Sequence, residues 1–276
     1  AFIIFTFVIS LLVGSFLNVV IYRLPIMMER EWQRDIEQTQ NPEKELAPQT
    51  TFNLIKPDST CPNCQHKIRA WENIPVISWI VLGRKCSGCA KPISGRYPAV
   101  ELLTAIMSAA VAYQLGFGLT GVAFIFGTWL LVAMTFIDLD KMLLPDSLTL
   151  LLLWLGLGIS CFDQTISPID SIIGAMVGYL SLWSIYWAFK LLTGKEGMGY
   201  GDFKLLAALG AWVGWQHLPI VILLSSVVGA IVGISLMFIK KKDSNLAIPF
   251  GPYLAAAGWL TMLYGDHIAD WYLSTL

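Results

Sequence analysis

Eight apolar runs divide the chain, at about 1–21, 98–115, 122–137, 147–162, 172–192, 203–215, 218–239 and 252–273. A membrane-spanning helix needs roughly 20 predominantly apolar residues, within a range of about 17–25. Most of the runs reach or approach that length. The run 203–215 is too short to cross alone, so it is expected to be shielded by neighbouring helices or only partly inserted. One long polar stretch, from residue 23 to 96, follows the first run. The pattern predicts an all-α polytopic membrane protein of about eight transmembrane helices, with the polar stretch inserted between the first and the second. The expected domains are a first transmembrane helix at 1–22, an insert at 23–97 and a seven-helix membrane domain at 98–276. The first run has no charged leading region and no convincing cleavage site, so it reads as a spanning helix rather than a removed signal peptide. The chain opens at Ala1 inside that run, and residues preceding Ala1 are expected.

Composition agrees with a membrane protein. Of 276 residues, 56% are hydrophobic and only 13% charged, with a mean hydropathy of +0.65. Soluble domains carry about 25% charged residues, so this chain has too little charge to cover a water-exposed surface. The net charge of −1 says nothing about nucleic acid, but the lack of a basic stripe with interleaved aromatics excludes a nucleic-acid binder. Charge also sets the orientation. If the eight runs all cross, all 18 Lys and Arg residues fall on one side: in the insert and in the turns around 138–146, 190–204 and 240–245. The connections near 116–121, 163–170 and 216–217 and the C-terminal tail carry none. The positive-inside rule makes the charged side cytoplasmic. Gly174-x-x-x-Gly178, Gly210-x-x-x-Gly214 and Gly229-x-x-x-Gly233 fit close helix packing through small residues.

The insert holds Cys61-Pro-Asn-Cys64 and Cys86-Ser-Gly-Cys89, with 21 residues between the pairs. Two C-x-x-C pairs at this spacing point to one tetrahedral four-thiolate zinc site made by Cys61, Cys64, Cys86 and Cys89. A reducing cytoplasmic face disfavours structural disulfides and strengthens that reading. Redox thiols and a different metal are the alternatives, and His66 is a weaker candidate ligand. A closed site with four protein ligands leaves no position for a substrate, so its expected role is structural. Cys161 lies in an apolar run and reads as a small hydrophobe. Residues 29–56 read as a connector, with a short amphipathic helix around 29–38 that could lie on the membrane surface.

Five carboxylates compete for a catalytic role: Glu101, Asp138, Asp140, Asp146 and Asp202. An ionisable group at the edge of a membrane segment is a functional-site candidate by default. Asp202 closes the glycine-rich stretch Gly197-Met-Gly-Tyr-Gly-Asp202, and its partner is expected within the stretch 136–146, which holds Asp138, Asp140 and Asp146. Two carboxyls held a few Å apart cannot both ionise, so one keeps a proton and acts as acid while the other activates water. That chemistry hydrolyses a peptide bond without a metal or a nucleophilic serine. Neither G-x-S-x-G nor H-E-x-x-H occurs. The three glycines would let a substrate backbone and a water approach Asp202. The plain alternative is that the carboxylates pair with Lys141 and Lys204 at headgroup level. Asp140 and Asp146 read as structural, through pairing or helix capping.

With these motifs the chain resembles the bacterial type IV prepilin peptidases, the leader peptidases and N-methyltransferases of type IV pilus and type II secretion systems. The likeness runs through Gly14-Ser-Phe-Leu-Asn-Val-Val-Ile-Tyr-Arg-Leu-Pro25, the four cysteines, Glu72-Asn-Ile-Pro75, Gly95-Arg-Tyr-Pro-Ala-Val-Glu101, Phe136-Ile-Asp-Leu-Asp140, Leu144-Pro-Asp146, the glycine-rich stretch and Ile248-Pro-Phe-Gly-Pro252. The resemblance implies a membrane aspartyl protease using Asp138 and Asp202. Its substrates would be type IV prepilins and type II secretion pseudopilins, cut on the cytoplasmic side of the bacterial inner membrane, after a glycine and before a hydrophobic residue. It further implies methylation of the new N-terminus from S-adenosylmethionine, with a donor site expected near Gly83, Arg96 and Glu101. A transporter with midplane carboxylates is the rival reading. Asp138 and Asp202 sit at run ends rather than mid-run, and the halves show no repeat. A zinc-bearing assembly factor would not need the glycine turn.

Overall fold

The computed structural model describes residues 1–41, 51–162, 166–195, 197–240 and 248–274. The described residues form eight α-helices: α1 (Phe2–Gln40), α2 (Ile77–Val81), α3 (Arg96–Leu115), α4 (Leu119–Lys141), α5 (Asp146–Ser160), α6 (Pro168–Thr193), α7 (Tyr200–Lys240) and α8 (Gly251–Ser274). Among the described residues there is no strand, only two isolated bridges in the insert. Every apolar run of the sequence is helical. By length and composition, five helices can cross a membrane: α1, α3, α4, α6 and α7; α5 is a shorter apolar helix.

α7 carries two of the apolar runs. Its backbone leaves helical geometry at Gly214 (φ 73, ψ 169), a left-handed conformation that glycine adopts without penalty. A straight helix over the thirty residues from Tyr200 to Ala230 would separate its ends by about 45 Å. Instead Met198 and Ala230 line one cavity, so the helix doubles back at Gly214 into limbs 200–213 and 215–240. Gly214, read from sequence as half of a packing motif, makes the reversal. The connection at 241–247, where the sequence placed a basic turn, lies outside the described residues, as does Asp163.

The chain divides into two compact units, Ala1–Ala110 and Val111–Leu276, with the boundary inside α3. In the first unit α1 does not stop near residue 22 but continues to Gln40, so the amphipathic segment at 29–38 is its extension. α1 and α3 touch at Gly14, where an added Cβ would stand 2.7 Å from the Cα of Glu101. The insert's first loop is tied to α1 by buried Arg23, whose guanidinium donates to the carbonyls of Asn53 (2.9 Å) and Pro57 (2.6 Å).

The second unit is built around the first limb of α7, the run judged too short to stand in lipid. Phe203, Leu205, Leu206, Ala208, Leu209 and Ala211 are fully buried, because other helices of the unit enclose the limb. α6 meets it at Gly174, which faces Gly210 so closely that neither can carry a side chain without moving backbone. Ser171 on α6 donates to the carbonyl of Ala211 at 2.6 Å. Trp212 reaches towards α4 and α5: its ring lies edge-on to Phe124 at 5.0 Å, beside Gly127 and Gly156, and its Nε1–H donates to the Leu152 carbonyl at 2.8 Å. Leu209 abuts Gly258 of α8. Removing a large aromatic from such a site costs about 3–5 kcal/mol. Trp212→Ala is therefore expected to lower the thermal unfolding temperature in detergent by several degrees, read by intrinsic fluorescence. An unchanged transition would contradict the central role given to this limb.

Candidate active site and metal centre

Three chain turns converge in the second unit. α4 ends just past Asp138: Met142 turns left-handed (φ 51) and its N–H closes on the Asp138 carbonyl at 2.8 Å. The chain then passes through buried Leu144 and Pro145 into α5. Asp202 lies in the first turn of α7, its N–H donating to the Gly199 carbonyl at 3.3 Å. That turn is held against α6 by aromatic packing of Phe203 with Tyr179, Tyr186 and Tyr200. The third turn is the start of α8. The first N–H groups of a helix have no partner within it. Here that of Gly251 donates to Asp138 Oδ2 at 3.0 Å.

Asp138 is 5% and Asp202 8% exposed, and the turns that carry them meet on the one side chain of Leu144. Asp140 and Asp146 are exposed. Leu144 fixes the spacing between the turns. It meets the position of a Cβ at Gly201 at 2.8 Å and at Gly251 at 3.2 Å, so one side chain wedges between the residue before Asp202 and the residue that holds Asp138. The lysine alternative holds for Asp146 and so loses Lys204 for Asp202: the Lys204 ammonium binds both oxygens of Asp146 at 2.6 and 2.7 Å and links the start of α5 to α7. The three glycines play different parts. Gly197 packs on the Phe189 ring and Gly201 on Leu144, while Gly199 leaves room beside the Asp202 carboxyl, 3.9 Å from its own Cβ position. None of the three needs a left-handed backbone. Two buried carboxyls on such adjoining turns, with a backbone donor on one, can hold a single proton between them and polarise a water.

Gly251 and Leu144 were not singled out by the residue-level reading. The signal for Gly251 was the Ile248-Pro-Phe-Gly-Pro252 stretch, with a proline that starts a helix and a glycine before it, and that for Leu144 was Leu144-Pro-Asp146. A Cβ at residue 251 would stand 2.6 Å from Asp138 Oδ2. Gly251→Ala is expected to push the carboxyl aside and lower kcat by about 10²-fold, the usual scale for a 1 Å misplacement, with KM changed far less. A variant with wild-type kcat would show that this contact does not position Asp138.

The insert forms two equivalent knuckles. In the first, Cys61 N–H donates to the His66 carbonyl and Gln65 N–H to the Cys61 carbonyl; in the second, Cys86 pairs with Lys91 and Ala90 with Cys86 in the same way, all at 2.9 Å. Gln65 (φ 59) and Ala90 (φ 56) are the left-handed residues that close each knuckle. The result brings all four sulfurs within 4.8 Å of one another, with Cys61–Cys89 at 4.0 Å and Cys64–Cys86 at 3.9 Å. Thiolates about 2.3 Å from one tetrahedral zinc stand about 3.8 Å apart, so the donor set fits such an ion. Backbone N–H groups of Asn63 and Cys64 hold the Cys61 thiol down to about 6. At Cys64 the His66 N–H favours the thiolate, but burial and the neighbouring thiols win and push it up to about 12. Crowded thiols of this kind ionise together only around a cation.

His66 is not part of the thiol cluster. Its Nε2 lies 3.2 Å from Glu72 Oε2 and 3.0 Å from Ser87 Oγ, and Ser87 Oγ donates to Glu72 Oε1 at 2.6 Å. Both partners use the same ring nitrogen, so this is a strut between the knuckles and not a nucleophile–base–acid relay. The Arg69 N–H and the Ser87 hydroxyl hold the Glu72 carboxyl down to about 2. Of the three residues expected near a methyl donor, Glu101 is buried and accepts the Val76 N–H at 2.8 Å, Arg96 opens α3, and Gly83 (φ 58) has nothing within 4 Å of its Cβ position. Val76, a β-branched residue, is itself held left-handed (φ 61) above Glu101.

Fold and site together define a multi-pass helical membrane protein with two buried aspartates in one unit and, in the other, a four-thiol cluster with the geometry to hold a metal ion. The family model for the Bacterial Peptidase A24 N-terminal domain matches residues 8–115, and that for the Type IV leader peptidase family matches residues 124–234. Curated relatives named prepilin leader peptidase/N-methyltransferase include one from Aeromonas hydrophila, 60% identical over 268 residues, covering 97% of this chain and 92% of the relative. Another, from Pseudomonas aeruginosa, is 55% identical over 273 residues, covering 99% and 94%. A third, from Xanthomonas campestris, is 49% identical over 265 residues, covering 96% and 92%. No solved structure matches. The chain belongs to the prepilin leader peptidase/N-methyltransferase family, and it is an enzyme.

Proposed function

We propose that this protein removes the leader peptide of type IV prepilins and type II secretion pseudopilins at the cytoplasmic face of the bacterial inner membrane, with Asp138 and Asp202 as the catalytic pair. What carries the reading is the burial of two carboxyls in one unit, one of them held by the Gly251 N–H, while the neighbouring lysine is diverted to Asp146. One carboxylate takes a proton from a water lodged between the two, and the other gives its proton to the scissile carbonyl oxygen. The tetrahedral diol then collapses, the C–N bond breaks, and the departing amine takes a proton from the pair. Gly199 leaves the approach to Asp202 open for the substrate backbone. The segregation of all 18 Lys and Arg residues to one side, with eight runs crossing, supports this orientation. Membrane lipid surrounds the spans, and no nucleic acid takes part.

The relatives' names add a second activity, methylation of the new N-terminal amine, for which S-adenosylmethionine would supply an electrophilic methyl group. We place it in the first unit, around Gly83, Arg96 and Glu101. Glu101 fits in one respect: a buried carboxylate attracts a sulfonium or ammonium cation. Cys61, Cys64, Cys86 and Cys89 would hold one structural zinc ion that shapes the insert. The test is mass spectrometry of a prepilin incubated with the purified protein and S-adenosylmethionine, which reports leader loss and methyl addition together. An intact prepilin after prolonged incubation, or leader loss that survives Asp202→Asn, sinks the proteolytic reading.

A further inference from the structure

Between Glu72 and Arg84 the insert carries eleven residues without a charge, Asn73-Ile-Pro-Val-Ile-Ser-Trp-Ile-Val-Leu-Gly83, and α2 lies within them. An apolar stretch of about 10–14 residues belongs either to a protein core or to a membrane interface. This stretch is not a core. Ile74, Ile77, Ile80 and Val81 are 44–72% exposed. Ile77, Ile80 and Val81 stand at i, i+3 and i+4, which is one face of α2. The backbone of α2 carries its own bonds, as a bilayer requires: the N–H groups of Ser78, Ile80 and Leu82 donate to the carbonyls of Ile74, Val76 and Ser78.

The exposed face lies at the depth of the spans. In the first unit α1 and α3 run antiparallel: Gly14 meets Glu101, and Asn18 Nδ2 donates to the Tyr97 carbonyl at 3.2 Å. Exposed Tyr22 and Tyr97 mark the headgroup level on the two helices. The insert is bonded to both helices deeper than that. The Val76 N–H donates to Glu101 Oε2 at 2.8 Å, and Ser15 Oγ donates to Asn73 Oδ1 at 3.5 Å. Glu101 stands five residues inside Arg96 and Ser15 eight residues inside Arg23, roughly 8 and 12 Å at the helical rise. The headgroup layer is only about 5–8 Å thick. Asn73 and Val76 therefore sit at its inner edge. Left-handed Val76 (φ 61) turns the chain there into α2, a backbone that a β-branched residue adopts only under constraint.

We propose that residues 73–83 form a re-entrant segment, which dips α2 into the leaflet on the insert's own side of the bilayer and covers Ile77, Ile80 and Val81 with lipid acyl chains. The insert is then not wholly outside the membrane. Lipid is the occupant because this face continues the apolar surface of α3, where Leu102, Leu103 and Ile106 are exposed. Charge agrees: exposed Arg84 and Lys85 follow the face at the level of anionic headgroups. Trp79 closes the segment, with its Nε1–H on the Ile93 carbonyl at 3.1 Å and the Arg84 guanidinium 4.8 Å over its ring. The proposal needs only the spans and stands whether or not the aspartates cut a peptide bond.

The experiment places benzoylphenylalanine at Ile77, Ile80 or Val81, one at a time, in the full-length enzyme. Each variant is irradiated in vesicles of phosphatidylethanolamine and phosphatidylglycerol, and phospholipid adducts are counted by mass spectrometry of its peptides. Ile106, exposed on α3, is the reference in lipid, and Lys91, exposed in the second knuckle, is the reference in water. Adduct yields at the three positions should approach that at Ile106 and exceed that at Lys91 at least about 10-fold. Yields as low as at Lys91 overturn the proposal. So do adducts that join α2 to other segments of the chain, or to a prepilin added to the vesicles, in place of lipid. Hydrogen exchange in the same vesicles needs no probe. The double variant Ile77→Lys, Ile80→Lys cannot keep its charges among acyl chains, so its residues 74–82 should exchange at least about 10-fold faster than in wild type, with α3 unchanged. Equal exchange in the two proteins overturns the insertion.

Discussion

Asp202→Asn and Asp138→Asn should each lower leader cleavage by at least about 10³-fold, the loss expected when one member of an acid–base pair can no longer exchange a proton. Neither residue can replace the other, because each must hold a proton at one stage and release it at another. Asn keeps the volume and can still accept the Gly251 N–H, so the fold should survive and the variant should unfold at the wild-type temperature. Methylation offers the control. The residues proposed for methyl transfer belong to the first unit and the aspartates to the second, so Asp202→Asn should still methylate a pilin that has already lost its leader. The measurement is paired mass spectrometry, with prepilin and with pre-cut pilin as substrates. A well-folded variant that fails on both would show that the two activities share machinery. Residual cleavage above a few percent of wild type would remove Asp202 from the catalytic pair.

The second large effect concerns the cysteines. Structural zinc contributes an apparent 10–16 kcal/mol to small zinc-folded peptides near neutral pH, far more than the few packed side chains of the two knuckles can supply. Cys61→Ser or Cys89→Ser should therefore reduce the metal content of the purified protein from one zinc per chain towards none. The insert should become sensitive to limited proteolysis, and methylation should fall with it. Cys161, exposed at the end of α5, is the internal control, and Cys161→Ser should change neither. Elemental analysis of purified variants decides the matter: full metal occupancy in a protein lacking Cys61, Cys64, Cys86 and Cys89 would exclude this site.

Much of this was legible along the chain because the information is local. Each apolar run is a helix, since a membrane leaves a backbone no other way to satisfy its own hydrogen bonds. The thiol cluster followed from two short spacings, because a C-x-x-C turn aims both sulfurs the same way whatever surrounds it. The burial of the run 203–215 followed from its length. Helix ends were less legible. α1 runs on to Gln40 because nothing between Tyr22 and Gln40 stops a helix, Pro25 included, and a fall in hydropathy marks a change of solvent rather than a change of backbone. Gly214 looked like one more packing glycine until its dihedral angles showed the turn.

What the sequence determined by itself was the class, the helices, the four sulfurs and a short field of carboxylates. The tertiary structure buried Glu101, Asp138 and Asp202 among those carboxylates and supplied their surroundings. It gave Lys204 to Asp146, left Asp140 exposed, and joined Asp138 to the backbone of Gly251, 113 residues away. It also set Leu144 between the two aspartate turns. The division has a physical cause. Helix formation and membrane partition are summed over neighbouring residues, so they can be read from a window of sequence. Which carboxyl is buried, and what donates to it, depends on how helices far apart in the chain pack together, and no window of sequence contains both partners.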